Sequence, residues 1–157
     1  MEKINIVSKY EQERGKPMPS KLHSKTQSRL IYLLEAKYAQ SYEAFSELSL
    51  SLEDWDSVPD ICLYDKSAIS LLEDEVEMTK PPLLTIEILS PSQSLNELVG
   101  KARKYFEKGV RSCWVVIPIL KNIYVFSSAE AYEIFKQEET LHDSKMEIEF
   151  SLSEVFI

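Results

Sequence analysis

Three glycines, two cysteines and two histidines are all that this 157-residue chain holds of the residue types behind many familiar sites. With so few glycines, no glycine-rich phosphate loop is visible. Two cysteines cannot make a zinc site by themselves. Cys62 and Cys113 each lie in an apolar, strand-like run, where a buried free thiol rather than a disulfide is expected. No Ser-His-Asp arrangement is visible, and His142, in the polar run Thr-Leu-His-Asp-Ser, reads as exposed. Long hydrophobic runs are missing too. Nothing approaches the roughly 20 apolar residues of a membrane helix, and the first residues lack a signal peptide's hydrophobic core. The expectation is a cytoplasmic chain with no membrane partner.

The remainder is ordinary for a globular protein: 44% apolar and 28% charged residues, enough chain for one domain over residues 1–157. Net charge is −8, which opposes purely electrostatic capture of nucleic acid. The charge is uneven, however. Residues 1–30 carry seven Lys/Arg against three Glu, a balance of +4 that leaves −12 for the rest. A second basic island holds Lys101, Arg103, Lys104, Lys108 and Arg111. These islands are either solvated faces or a basic rim around an acidic, metal-binding floor.

Residues 1–19 read as irregular, because Gly15, Pro17 and Pro19 disfavour a helix. Ser20 or Ser24 then opens a helix running to about Lys37, and Ser24-Lys-Thr-Gln27 has the spacing of a capping box. Its inward face is His23, Gln27, Leu30, Ile31, Leu34 and Tyr38. Ala44 to Leu52 alternates as a strand, Asp54 to Ser57 reads as a turn, and Val58 to Tyr64 as the second strand. Asp65 to Pro82 is irregular. Leu83 to Leu89 is almost wholly apolar, the pattern of a strand buried on both faces. Leu95, Leu98, Val99, Ala102, Tyr105 and Phe106 mark a helix from Leu95 to Lys108, with Gly109 placed to end it. Cys113 to Pro118 is another apolar strand, so strand, helix and strand form a right-handed crossover between parallel partners. Strands follow at Ile123 to Ser127, Tyr132 to Lys136 and Met146 to Phe150, with a terminal turn of helix over Leu152 to Ile157. The class is α/β or α+β, a central mixed sheet flanked by helices.

One charge interrupts the buried strand. Glu87 shares a face with Thr85 and Leu89, opposite Ile86 and Ile88, and an ionised carboxylate there needs a cation or several donors. A salt bridge would supply one; a metal ion would supply another. Asp60, behind Pro59 at the start of a neighbouring strand, is either a turn residue or a second carboxylate for the same ion. Lys101 borders the apolar stripe of its helix and is either an i, i+4 partner of Glu97 or an amine aimed at the sheet end. His23 is a core or cap residue, or belongs to the site. Tyr105 is a core aromatic whose hydroxyl could reach it.

These residues, in this order, resemble the PD-(D/E)XK nuclease superfamily, and more closely its Uma-two branch of restriction-endonuclease-like proteins. The likeness runs through Tyr10-Glu11, Gly15, Met18-Pro19 and His23. It continues through Pro59-Asp60-Ile61 and Ile86-Glu87-Ile-Leu-Ser90-Pro-Ser92, then Glu97, Lys101 and Tyr105, and ends at Gly109-Val110 and Trp114-Val-Val. The resemblance implies a restriction-endonuclease-like fold in which Asp60 and Glu87 ligate Mg²⁺ or Mn²⁺. Leu89 stands where a standard nuclease carries its lysine; in this branch the lysine lies on the helix, which points to Lys101. Glu11 is the implied additional acid, with Glu13 its ambiguous neighbour, and His23, Gln27 and Tyr105 are implied supporting residues. Three positions depart from the branch: Ile117 replaces an Asp before proline, Glu97 replaces Asp, and the amino-terminal region is poor in acidic loop residues.

The implied chemistry is metal-dependent endonucleolytic hydrolysis of DNA phosphodiesters, by a homodimer in one version. A catalytically inactive binding or regulatory module is the main alternative, and a different metal-dependent hydrolase a third.

Overall fold

The computed structural model describes residues 9–157. Its centre is a six-stranded mixed sheet, entered by way of two helices, α1 (Lys9–Arg14) and α2 (Lys21–Tyr38). Along the chain follow β1 (Tyr42–Ser46), the small hairpin β2 (Leu50–Leu52) and β3 (Trp55–Ser57), β4 (Ile61–Asp65) and β5 (Leu84–Ile88). Then come α3 (Leu95–Glu107), β6 (Ser112–Ile117), β7 (Asn122–Phe126), β8 (Tyr132–Lys136), and a second hairpin of β9 (Thr140–Asp143) and β10 (Ile148–Ser151).

Strand order in the large sheet is β1-β4-β5-β6-β7-β8. Only β5 and β6 run parallel, joined by α3; the other pairs are antiparallel. Both central strands are buried along their whole length, which is why their sequences do not alternate. One face packs Leu84, Ile86 and Ile88 against Leu30, Leu33 and Leu34 of α2 and against Leu141, Ile148 and Phe150 of the second hairpin. The other packs Cys113 and Val115 against Leu98, Ala102 and Tyr105 of α3 and Leu50 and Leu52 of the first hairpin. Glu87 therefore points to the α3 side.

Local chemistry explains the helix ends. Ser20 caps α2 by accepting the His23 amide at 3.2 Å, and Ser94 caps α3 by accepting the Glu97 amide at 3.2 Å. Ser20 rather than Ser24 is the cap, so Ser24 lies inside the first turn. Gly109, φ +98°, turns the chain out of α3 in a conformation that only glycine adopts cheaply. Both cysteines are buried and free, their thiols pushed up to about 12 by burial.

Several expectations from the sequence are corrected. Helix α1 occupies part of the stretch expected to be irregular (residues 1–8 of that stretch lie outside the described residues). Its six residues end before Gly15, φ +67°, so the glycine and prolines follow the helix instead of interrupting it. The expected strand from Ala44 to Leu52 is two strands, broken where Glu47 takes φ +50°. The expected turn from Asp54 to Ser57 is mostly β3, with the reversal one residue earlier, around Glu53 at φ +60°. His142 lies on β9 and not in a loop, with its side chain exposed as expected. On α2, Thr26 and Leu33 are buried where Gln27, Ile31 and Tyr38 are only half-buried. Among the described residues no helix is long and apolar enough to cross a membrane.

One buried acid belongs to the scaffold. Asp143 accepts from Ser112 Oγ at 2.5 Å, Trp114 Nε1 at 2.8 Å and the amides of Lys145 and Met146, both at 3.1 Å. Ser112 and Trp114 tie the second hairpin to β6, and the two amides close the hairpin's own turn. Asp143→Ala should leave these donors buried and unpaired, lowering unfolding free energy by about 3 kcal/mol in a urea titration.

Candidate active site

Antiparallel pairing of β4 with β5 sets Ile61 opposite Ile86. Continued by one residue, that register sets Asp60 opposite Glu87, at the end where β4 begins. Both acids are nearly inaccessible, at 1% and 4% exposure. Two carboxylates held this close in a low-dielectric setting require compensating charge.

For Glu87 the compensation comes from α3. Lys101 Nζ lies 2.9 Å from Glu87 Oε1, and Tyr105, one turn further on, donates its hydroxyl to the same oxygen at 3.0 Å. Tyr105 is held in turn by Ser57 at 2.6 Å and packs edge-on against Trp55. Among the described residues no ion pair joins Lys101 to Glu97, the helical partner its spacing offered. Burial is the largest influence on the Glu87 carboxyl and pushes it upward; Lys101 opposes this and the charge of Asp60 adds to it. Burial likewise lifts the Tyr105 hydroxyl well above its ordinary value.

For Asp60 the compensation comes from α2 and from the segment before it. His23 Nε2 lies 3.2 Å from Oδ2, which also accepts the Ile88 amide at 2.7 Å. Gln27, one turn after His23, donates to the Asp60 carbonyl at 3.1 Å. Oδ1 is bound by the ammonium of Lys16. That lysine also donates to the Val58 carbonyl at 3.3 Å, stands 3.9 Å from Glu47, and is only 7% exposed along its side chain. Burial would raise the Asp60 carboxyl, but the His23 hydrogen bond and the charges of Lys16 and His23 outweigh it and hold it below its ordinary value.

The structure thus brings Asp60, Glu87, Lys101, His23, Gln27 and Tyr105 together at one end of the sheet. Glu11 lies half-buried on α1, with its carbonyl accepting the Gly15 amide at 2.8 Å, and Glu13 pairs with Lys9. Leu89 packs among the apolar residues on the α3 side. Sequence reasoning missed Lys16 and Glu47. Lys16 lies in a stretch without periodicity; its one local signal was a cation set between glycine and proline in the basic first thirty residues. Glu47 fell inside what read as a continuous strand.

A cleft of about 400 Å³ opens beside these groups, lined by Gly15, Trp55, Gln93, Glu97, Gly100, Lys101 and Lys104. Lys104 stands 5.6 Å over the Trp55 ring. Lys108, further along, is occupied by Asp54 at 2.5 Å. The donor set suits a hard divalent cation: two carboxylates at the ends of adjacent strands, each with a lysine ammonium already resting on it. Mg²⁺ keeps several waters and takes one or two carboxylates plus substrate phosphate, so Asp60 and Glu87 fit it. Among the described residues no three His, Cys, Asp or Glu side chains form a fuller cage.

Comparison with known proteins gives the family and the fold. A family model described as "Uma2: Putative restriction endonuclease" matches residues 11–153. A crystal structure titled as a "putative nuclease belonging to DUF820", from Anabaena variabilis, is 26% identical, with a TM-score of 0.79 over 90% of this chain and 83% of that one. No curated protein matches the sequence.

The two acids should titrate with opposite consequences for stability. Asp60, depressed in the folded state, stabilises above the unfolded carboxyl value of about 4 and loses that contribution as pH falls through its folded value. Urea unfolding should therefore show the advantage of wild type over Asp60→Asn shrinking in acid. Glu87, raised in the folded state, stabilises in acid and loses that contribution as pH rises through its folded value. The difference between wild type and Glu87→Gln should accordingly fall with rising pH.

Proposed function

This chain belongs to the Uma2 family, and from that premise we propose that it is a divalent-metal-dependent endonuclease acting on DNA phosphodiesters. The observation that carries the reading is the burial of Asp60 and Glu87 at one end of the sheet, with Lys101 on Glu87 and in the wall of the adjoining cleft. Asp60 and Glu87 would hold Mg²⁺ or Mn²⁺, which when bound polarises a phosphate oxygen and lowers the pKa of a water.

The remaining work belongs to this chain's own groups. His23, the Ile88 amide and Gln27 hold Asp60 by its carboxylate and its carbonyl, leaving little rotational freedom. Tyr105 and Ser57 hold Glu87 from the other side. Lys101, a quarter exposed, sets an ammonium between Glu87 and the cleft, where it offsets charge on a phosphate or hydroxide. Lys104 and Trp55 line the same cleft, a cation and an aromatic face suited to a nucleotide backbone and base. A homodimer would present two such clefts to one duplex.

A second reading is favoured by the net charge of −8 and by the pairing of each carboxylate with a lysine. It is a catalytically silent binding or regulatory module built on the same fold.

Calorimetric titration should give Mn²⁺ binding heat with the wild type at millimolar metal and none with Glu87→Ala. Plasmid nicking in Mn²⁺ should drop about 10²–10³-fold in Lys101→Ala, the loss typical when one charge-stabilising donor is removed. No metal heat ends the nuclease reading, and nicking that survives Lys101→Ala shows that the amine is misassigned. A folded protein that neither takes up Mn²⁺ nor nicks plasmid at any Mn²⁺ concentration favours the silent module instead.

A further inference from the structure

The placement of Lys16 has a consequence for how the site would load. Asp60 is fixed from four directions: His23 and the Ile88 amide on Oδ2, Gln27 and the Glu47 amide on its carbonyl. Lys16 reaches the same residue from a less embedded part of the chain. It follows Gly15, which lies at φ +67°, and a six-residue helix with no buried residue. A helix that short is marginal without support. Two of its side chains reach Glu47: Tyr10 donates to Glu47 Oε1 at 2.8 Å, and Arg14 donates to the Glu47 carbonyl at 2.8 Å. Of the elements that lead to the groups on the Asp60 carboxylate, this helix alone buries no residue, whereas α2 and β5 are embedded in the core.

A divalent cation and this ammonium want the same oxygen. A metal ligates a carboxylate oxygen at about 2.0–2.1 Å for Mg²⁺, and Oδ1 already carries the Lys16 ammonium. Both bound at once would set two like charges side by side away from water, where their repulsion is poorly screened. Gly15 lines the same cleft as Lys101 and Lys104, so a displaced Lys16 stays within reach of that cleft.

We propose that Lys16 is a tethered stand-in cation: it balances Asp60 in the metal-free protein, and a divalent ion enters the Asp60–Glu87 site only by displacing it. The proposal rests on the metal-dependent reading above and adds a positioning residue to it. The freed ammonium joins Lys101 at the cleft, so metal loading and the build-up of positive charge for a phosphate occur together.

Reductive methylation of the full chain, followed by peptide mass spectrometry, tests the displacement directly. Without metal, Lys16 should be labelled far more slowly than exposed Lys25. With saturating Mn²⁺, its labelling should approach the Lys25 rate. Lys16→Met should bind Mn²⁺ about tenfold more tightly, because the competing cation is gone. Its melting curve shows whether it folds, and the wild-type labelling remains decisive if it does not. Mn²⁺ heat with Lys16 still protected at saturation overturns the displacement and leaves the metal site standing. No Mn²⁺ heat with either protein overturns the metal-dependent reading and this proposal together.

Discussion

The burial of two like charges beside each other, Asp60 and Glu87, is the constraint to which the rest of this structure answers. Neither carboxylate could remain ionised at that depth without partners, and each is given a cation from a different part of the chain. Lys101 arrives from α3 on one face of the sheet. Lys16 arrives from the segment ahead of α2, whose His23 also reaches Asp60. Helices on opposite faces thus deliver groups to the same end of the sheet, and the pairing of β4 with β5 brings the two acids side by side.

Buried acids in this protein are not equivalent. Asp143 is as inaccessible as Glu87, yet its partners are a hydroxyl, an indole and two amides. Donors without charge satisfy a carboxylate and hold a hairpin, but they leave nothing to exchange. Asp60 and Glu87 are held by cations, one of which lines a cleft, and a partner cation is a group that another cation can replace. That difference in partners separates a scaffold acid from a site acid better than depth does. It is also why the pairing of both carboxylates with lysines is compatible with metal binding.

Much of the scaffold was legible because it follows from pattern. The continuous apolar runs around Glu87 and Trp114, with an amphipathic helix between them, specify a buried parallel pair, and β5, α3 and β6 fall within a residue or two of their expected bounds. The likeness to the Uma-two branch rested on the same stretch. The misreadings cluster where left-handed backbone at a non-glycine residue breaks an alternating pattern, as at Glu47 and Glu53. Nothing in a glutamate announces a positive φ; neighbouring contacts impose it. The hairpin strand β9 was missed for a related reason, since its pattern of alternate burial depends on β10 and α2 lying beneath it.

From the residues alone came the order of the central elements, the face on which Glu87 lies, and the candidates Asp60, Glu87 and Lys101. The order and the face follow from periodicity, Glu87 from the cost of burying charge, and the roles of Asp60 and Lys101 beside it from the likeness to the Uma-two branch. Tertiary structure alone decided which cation meets which acid. Spacing along α3 offered Lys101 a partner in Glu97, but the deeper, less screened carboxylate of Glu87 attracts it more strongly. The contact between Lys16 and Asp60 spans 44 residues and obeys no local period. Only the folded chain could put them together.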